Sequence, residues 1–269
     1  MTDPLESAFA GQTERIAVHE WSNPDARFLV LIAHGYGEHS RRYDHVAELL
    51  VGEGAAVFAL DHAGHGRSEG ERALIPDGDV MAADLHAVAD AARERHPGLP
   101  VVLIGHSMGG LIATRFAQLN PGELAALVLS GPVIGGNPAI TGLLEMDPIP
   151  ELPIDPAVLS RDPGVGEAYM ADPLVYHGGF KRPTLESFAA AVDRIAAGPG
   201  FGELPVLWIH GSEDALAPLE PARQAVERLR GTKTEEKVYA DARHEIFNET
   251  NRDEVLGDLT AFLRRALGR

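Results

Sequence analysis

The sequence predicts an α/β protein with a mostly parallel central sheet flanked by helices. Short runs rich in Val, Leu and Ile alternate along the chain with longer segments in which apolar residues recur at helical spacing. This alternation is typical of β-α-β units. The short runs are nearly continuously apolar, as expected for strands that are buried on both faces of a parallel sheet. A length of 269 residues suits one domain with an insertion.

Seven strands are predicted, and the first of them is expected to be an antiparallel edge strand. They cover residues 15–20, 28–33, 55–60, 101–104, 126–129, 206–210 and 233–239. Five helices are predicted at residues 43–53, 80–95, 111–119, 221–229 and 254–266. Asp79 and Asp253 are the expected N-caps of the second and the last of these helices. The helix lengths suit crossovers between parallel strands.

Residues 133–202 interrupt the alternation. They are crowded with Pro and Gly and contain no clear strand, which predicts irregular structure. We interpret them as a cap inserted between two segments of one core, residues 1–132 and 203–269. Within the cap, residues 142–146 and 185–195 carry apolar side chains at helical spacing, which either line a substrate entrance or pack the cap onto the core.

Composition and charge exclude several classes of function. The chain has 23 Lys and Arg residues against 40 Asp and Glu residues, a formal charge of −17, so nucleic acid is not an expected partner. The absence of Cys excludes disulfides, thiolate nucleophiles and Cys-ligated zinc. Residues 1–6 are acidic rather than basic, and no run approaches 18 apolar residues. We therefore expect a soluble, cytoplasmic protein.

One serine lies in a motif with a specific structural context. The sequence Gly105-His106-Ser107-Met108-Gly109-Gly110 follows a predicted strand and precedes a helical segment. This is the strand–turn–helix context of a G-x-S-x-G nucleophile elbow. Gly105 and Gly109 leave room for the sharp turn, and the helix N-terminus stabilises negative charge on an attacked carbonyl. Ser107 is therefore the predicted nucleophile.

A serine nucleophile needs a histidine base, which follows it in the chain in this kind of fold. Three histidines follow Ser107, namely His177, His210 and His244. The first lies in the predicted cap and the second inside a predicted strand. His244 lies in a loop between the last strand and the last helix, and it is therefore the predicted base.

The base is oriented by an acid that lies between the serine and the histidine in the sequence. Glu213 and Asp214 directly follow the strand at residues 206–210. We favour Asp214 as the acid that fixes the tautomer of His244. Glu213 and Asp241 remain the alternatives.

A second loop is expected to complete an oxyanion hole. The strand at residues 28–33 leads into His34-Gly35-Tyr36-Gly37-Glu38-His39, the position that supplies a second backbone N–H group in this fold. The backbone N–H groups of Tyr36 and Met108 are the predicted donors. Each such donor contributes about 3 kcal/mol to transition-state stabilisation.

Twelve histidines raise the question of a metal site. Four of them lie in loops expected at the same edge of the sheet: His34, His39, His62 and His65. The sequence lacks an H-E-x-x-H pattern, and Glu245 after His244 is not followed by the second histidine that a zinc helix needs. We expect no metal, and we assign these four residues to structural hydrogen bonds in a buried loop network.

Five segments together resemble the monoacylglycerol lipases of the α/β-hydrolase superfamily: residues 34–39, 61–72, 105–110, 172–175 and 244–249. The similarity extends over nearly the whole chain. Residues 61–72 and 244–249 are much more particular to monoglyceride lipases and their lysophospholipase-like relatives than the elbow is. The resemblance implies an α/β-hydrolase fold and hydrolysis of monoacylglycerols to fatty acid and glycerol through an acyl-enzyme, without a cofactor. It also implies a cap whose apolar lip faces lipid.

The resemblance places Glu38 and Arg42 at the positions that contact the polar head group of the substrate. In the alternative interpretation, these two residues only form an ion pair on the protein surface. Tyr36 is bulkier than the residue often found at its position. The Pro-rich cap cannot be matched residue by residue. A general carboxylesterase or a lysophospholipase would carry the same triad, and this alternative stays open, as does the oligomeric state. A hydrolase fold kept only for binding is disfavoured because all three triad residues are present.

Overall fold

The computed structural model describes residues 3–269, and they form one eight-stranded sheet. The strands are β1 (Leu5–Ala10), β2 (Arg15–Trp21), β3 (Phe28–Ala33), β4 (Ala55–Leu60), β5 (Val101–His106), β6 (Ala126–Ser130), β7 (Val206–Gly211) and β8 (Thr234–Tyr239). Their order across the sheet is β1-β2-β4-β3-β5-β6-β7-β8. Strands β3 to β8 are parallel to one another, and β1 and β2 pair antiparallel. The predicted α/β class is confirmed.

The prediction of the edge strand was wrong in one respect. Strand β2 is antiparallel, as expected, but it is not at the edge because β1 pairs along it from Leu5 opposite Glu20 to Ala10 opposite Arg15. Five of the six side chains of β1 are exposed. Backbone pairing rather than apolar burial holds this strand, so its sequence carries no hydrophobic pattern.

Eight helices accompany the sheet in the described part of the chain. They are α1 (Asp44–Gly52), α2 (Gly78–Arg95), α3 (Met108–Leu119), α4 (Pro138–Thr141), α5 (Pro163–Ala171), α6 (Arg182–Ala197), α7 (Leu219–Leu229) and α8 (Arg252–Ala266). The two predicted N-caps were wrong, because α2 is capped by the side chain of Asp77 and the N-cap position of α8 is Asn251. Asp79 and Asp253 instead lie in the first turns of these helices, where acidic side chains interact favourably with the positive end of the helix dipole.

Both faces of the sheet are covered. In β3, Leu29 and Leu31 face a core that includes residues of α2, α3, α6 and α7. Val30 and Ile32, which alternate with them, face a second core formed with α1 and α8. Burial on both faces explains why the strands are continuously apolar. No helix within residues 3–269 combines the length and the apolar character needed to cross a bilayer.

The segment between β6 and β7, residues 131–205, contains helices α4, α5 and α6 and, within the described chain, no strand. We call it the β6–β7 insert. Of residues 142–146, Gly142–Glu145 form a short 3-10 helix, and residues 185–195 lie within α6. The buried residues Leu159, Tyr169 and Val175 give the insert a small core of its own. Helix α6 packs through Ala191 and Ile195 on the core that contains Leu29 and Leu31.

Candidate active site

The predicted site residues meet at one edge of the sheet. The loops that carry Tyr36, Ser107, Asp214 and His244 follow β3, β5, β7 and β8, respectively. These four strands are parallel, so their carboxyl ends lie at the same edge, where open α/β sheets bind ligands. The topology therefore brings together residues that are up to 208 positions apart in the sequence.

Ser107 lies on a sharp turn between β5 and α3. Its φ of 55° and ψ of −118° are unusual for a residue with a side chain, and such strain is concentrated at functional sites. Two glycines make the turn possible. A Cβ atom on Gly105 would collide with the carbonyl oxygen of Gly109, and one on Gly109 would collide with the carbonyl oxygen of Ala33. The turn therefore requires glycine on both sides of the serine.

His244 and Asp214 form a buried hydrogen-bonded pair. The Nδ1 atom of His244 lies 2.8 Å from Oδ2 of Asp214, and Oδ1 of Asp214 accepts hydrogen bonds from the backbone N–H groups of Leu216 and Ala217 at 2.9 and 2.8 Å. Burial alone would lower the pKa of His244, but the facing carboxylate reverses this effect and the pKa is raised. Burial alone would raise the pKa of Asp214, but His244 and the backbone donors lower it.

Of the four alternatives to this pair, three are exposed and the fourth, His210, lies beside Asp214, with its Nε2 atom 3.4 Å from Oδ2 of Asp214. Glu213 and Asp241 are exposed, and His177 is exposed on the insert. His210 is buried in β7, where its Nε2 atom lies 2.7 Å from the carbonyl oxygen of Ala217. Within residues 3–269, none of these four lines the pocket that contains Ser107.

The imidazole of His106 packs behind the pair. Its ring centroid is 4.7 Å from that of His244, and its Nδ1 atom lies 3.1 Å from the carbonyl oxygen of Ser130. Burial, together with the neighbouring His244, lowers the pKa of His106 to about 4. His106 is therefore neutral at pH 7 and adds no charge to the site.

The loop that follows β3 runs beside the serine. A Cβ atom placed on Gly35 would lie 3.2 Å from Cβ of Ser107. In the described chain, no hydrogen bond uses the backbone N–H of Tyr36 or of Met108. The bulky side chain of Tyr36 stacks on Phe180 of the insert, with ring centroids 5.0 Å apart, and meets Phe188 edge-on. Tyr36 therefore also forms part of an aromatic wall.

A pocket of about 360 Å³ opens onto Ser107 and His244. Most of its wall is apolar and comes from the β6–β7 insert, including Ile140, Leu185 and Phe188. The insert also contacts the loop that carries His244, because the backbone N–H of Glu245 donates a hydrogen bond to the carbonyl oxygen of Leu159 at 2.7 Å. The pocket is large enough for an acyl chain and has a polar end.

Three charged side chains form that polar end, which we call the Glu38–Arg42–Glu245 cluster. Arg42 Nη1 lies 2.6 Å from Oε2 of Glu38 and 2.6 Å from Oε1 of Glu245, and Nη2 lies 2.8 Å from Oε2 of Glu245. Glu38 also accepts hydrogen bonds from the Tyr43 hydroxyl and the Gly35 backbone N–H, each at 2.6 Å. All three members of the cluster line the pocket.

Glu38 is ionised although it is buried. Glu38 and Glu245 are only 4% and 5% exposed. Burial alone would raise the pKa of Glu38, but Arg42 overcomes this effect and lowers the pKa to about 2. Glu38 and Arg42 are thus not a surface ion pair. Glu245, which sequence reasoning considered only as a zinc-motif residue, belongs with them; its position directly after His244 was the available signal.

Three of the four loop histidines make structural contacts through their rings, whereas the expectation was wrong for His62, whose buried ring has no hydrogen-bond partner within the described residues. His34 contacts the carbonyl oxygen of Gly35 through Nδ1 and accepts the backbone N–H of His62 at Nε2. His39 lies 2.8 Å from Asp172, and His65 contacts the carbonyl oxygen of Ala63. In residues 3–269, the side chains that approach one another with metal-ligand spacing are His86, Asp90 and Glu123. They do not line the pocket, and Arg93 already pairs with both carboxylates.

Comparison with known proteins identifies clear relatives. Residues 24–251 match the family model described as Serine aminopeptidase, S33 (Hydrolase_4). The chain is 37% identical to a monoacylglycerol lipase from Mycolicibacterium smegmatis over 273 aligned positions, which cover 96% of each chain. It is 36% identical to the human monoglyceride lipase, with 82% of this chain and 76% of the human protein covered.

A solved structure has the same fold. The crystal structure of the Paleococcus ferrophilus monoacylglycerol lipase superposes with a TM-score of 0.82 at 28% sequence identity. The match covers 93% of this chain and 99% of that chain.

Proposed function

Because this chain belongs to the monoacylglycerol lipase family of α/β-hydrolases, and is thus a carboxylic ester hydrolase, we propose that it cleaves monoacylglycerols to fatty acid and glycerol. The observation that carries the proposal is the convergence of Ser107 and the His244–Asp214 pair on one pocket with an apolar wall and a polar end. The wall suits an acyl chain, and the polar end offers hydrogen-bond acceptors to glycerol hydroxyls.

In the proposed reaction, Asp214 holds the Nδ1–H tautomer of His244, so that Nε2 is free to accept the hydroxyl proton of Ser107. Ser107 attacks the ester carbonyl, and the backbone N–H groups of Tyr36 and Met108 stabilise the oxyanion. The C–O bond to the alcohol then breaks, and His244 gives its proton to the leaving glycerol. Water, activated by His244, hydrolyses the acyl-enzyme and restores Ser107.

We further propose that residues 133–202 act as a cap over this reaction, on a core formed by residues 1–132 and 203–269. The pocket wall supports this, since the insert contributes most of it. Met146, Leu152 and Met170 of the insert are large apolar side chains that are at least half exposed. Such side chains favour contact with lipid surfaces. The cytoplasmic location stays a prediction.

The test is hydrolysis of a series of monoacylglycerols beside matched p-nitrophenyl esters and a lysophospholipid. Wild type is compared with Ser107→Ala and with Ser22→Ala, a control at an exposed serine outside the pocket. We expect a preference for monoacylglycerols that Ser107→Ala abolishes, together with loss of labelling by a serine-directed phosphonate. Serine-dependent turnover of only the simple esters would indicate a general carboxylesterase, and a preference for the lysophospholipid would indicate a lysophospholipase.

A further inference from the structure

The polar end of the pocket carries more negative than positive charge. The cluster at this end has two carboxylates, Glu38 and Glu245, against one guanidinium, Arg42. The pocket lining also includes the exposed Asp193. His106 is neutral at pH 7 because its pKa is lowered to about 4. His244 lies against the carboxylate of Asp214, so this pair adds no net positive charge. The lining therefore has a net negative charge.

The single guanidinium in this lining is already paired with two carboxylates. Three of the N–H groups of Arg42 are directed to Glu38 and Glu245, and the face of its guanidinium lies 5.3 Å from the ring centroid of Tyr169. An arginine that recognises phosphate or carboxylate offers a free fork of two parallel N–H groups. Here Glu245 occupies the fork formed by Nη1 and Nη2, and the charge of the guanidinium is already offset by two carboxylates.

We propose that the Glu38–Arg42–Glu245 cluster is a charge filter, in which Glu245 is a specificity-determining residue that admits uncharged, hydroxyl-bearing head groups and excludes anionic ones. This inference rests on the proposed ester hydrolysis at Ser107. The hydroxyls of a neutral polyol donate hydrogen bonds to carboxylate oxygens. A phosphate or carboxylate head group would place further negative charge beside Glu38 and Glu245, which lie in a partly desolvated pocket where charge repulsion is strong.

The position of Glu245 supports this role. The cluster would be neutral with Glu38 and Arg42 alone, and Glu245 adds the charge that makes it negative. Glu245 is fixed at both ends, because its backbone N–H is bound to Leu159 and its side chain accepts from both Arg42 and Asn248. A rigid, buried carboxylate next to His244 cannot turn away from an anionic head group.

The experiment compares two soluble substrates with the same short acyl chain, one esterified to glycerol and the other to glycerol 3-phosphate. The readout is the ratio of kcat/KM for the anionic over the neutral ester. Glu245→Gln removes one charge with little change of shape. Glu186→Gln is the matched control, because Glu186 is exposed on α6 and does not line the pocket, so that both variants have the same net charge.

We expect Glu245→Gln to raise the ratio on the order of tenfold, mainly through a lower KM for the phosphate ester, whereas Glu186→Gln leaves it unchanged. In wild type, the ratio should rise with NaCl concentration because salt screens repulsion. This salt titration needs no variant and stands even if Glu245→Gln does not fold.

A ratio that is near one in wild type, or that changes neither with salt nor in Glu245→Gln, would overturn the filter. A p-nitrophenyl ester and its ring-sulfonated analogue are measured in parallel. If neither glycerol ester is hydrolysed but the p-nitrophenyl ester is, the monoacylglycerol proposal fails, and the ratio for the sulfonated pair still decides whether the filter exists.

Discussion

Replacing Arg42 with methionine is expected to destabilise the protein by about 3–5 kcal/mol at pH 7. Methionine keeps much of the apolar stem but donates none of the three hydrogen bonds that Arg42 makes to Glu38 and Glu245. Both carboxylates are at least 95% buried, and without the cation they face each other uncompensated. Removing one partner of a buried ion pair is costly for this reason, whereas the intact pair adds little net stability.

The pH dependence of this loss distinguishes charge from packing. In wild type the pKa of Glu38 is lowered from 4.5 to about 2, which corresponds to about 3 kcal/mol. Because the folded-state pKa is the lower one, this stabilisation is present above pH 4.5 and is lost as the pH falls through 2. In Arg42→Met, burial without the cation raises the pKa of Glu38. The carboxyl group then takes up a proton in mildly acidic solution, so the deficit of the variant shrinks.

The assay is urea unfolding of wild type and Arg42→Met at pH 7 and at about pH 5, with the free energy of unfolding obtained by linear extrapolation. Arg265→Met is the control, since Arg265 forms an exposed ion pair with Glu235 and exposed pairs contribute little. A deficit of Arg42→Met that is below about 1 kcal/mol at pH 7, or that is the same at both pH values, would refute the reasoning.

Three further substitutions test the catalytic assignments. Asp214→Asn should lower kcat by about 10³–10⁴-fold. It should also move the acid limb of the pH–rate profile to lower pH, because the carboxylate that raises the pKa of His244 is lost while burial still lowers it. An acid limb at the same pH as in wild type would contradict this. Gly109→Ala should abolish esterase activity and phosphonate labelling, since its Cβ would collide with a backbone carbonyl, whereas Gly257→Ala has free space and should be active. Glu249→Gln should lower kcat with little change in KM and speed hydrogen exchange in residues 243–250. The reason is that the Glu249 carboxylate accepts hydrogen bonds from three backbone N–H groups and from a guanidinium. An unchanged exchange rate would exclude this positioning role.

The fold class and the strands of the parallel sheet were predictable because both depend on local patterns. Strands such as β3 and β5 are buried on both faces, so they appear as uninterrupted apolar runs. The positions of Ser107 and His244 followed from an elbow motif and from the chain order of the fold. Strand β1 was not predictable in this way, since its exposed side chains carry no such pattern.

The charge at the polar end of the pocket depends on contacts that no local pattern records. Glu245 and Arg42 are 203 residues apart in the sequence, and they meet because the loop after β3 and the loop after β8 end at the same edge of the sheet. In the sequence alone, Glu245 resembles any solvated loop acid. Its burial at 5% exposure and its two contacts with Arg42 follow from the topology.

The reaction type and the head-group preference therefore depend on different residues, although a motif search treats them as one property. In the proposed reaction, Ser107, Asp214 and His244 act on the ester bond, so a change at Glu245 leaves the order of proton transfers intact. In the same proposal, the head group meets the Glu38–Arg42–Glu245 cluster, whose net charge depends on how many carboxylates bind Arg42. With Glu38 alone, one carboxylate would balance the charge of Arg42; with Glu245 as well, the cluster is negative and the fork formed by Nη1 and Nη2 is occupied. The reaction type can therefore be inferred from motifs, whereas head-group preference has to be inferred from contacts between loops.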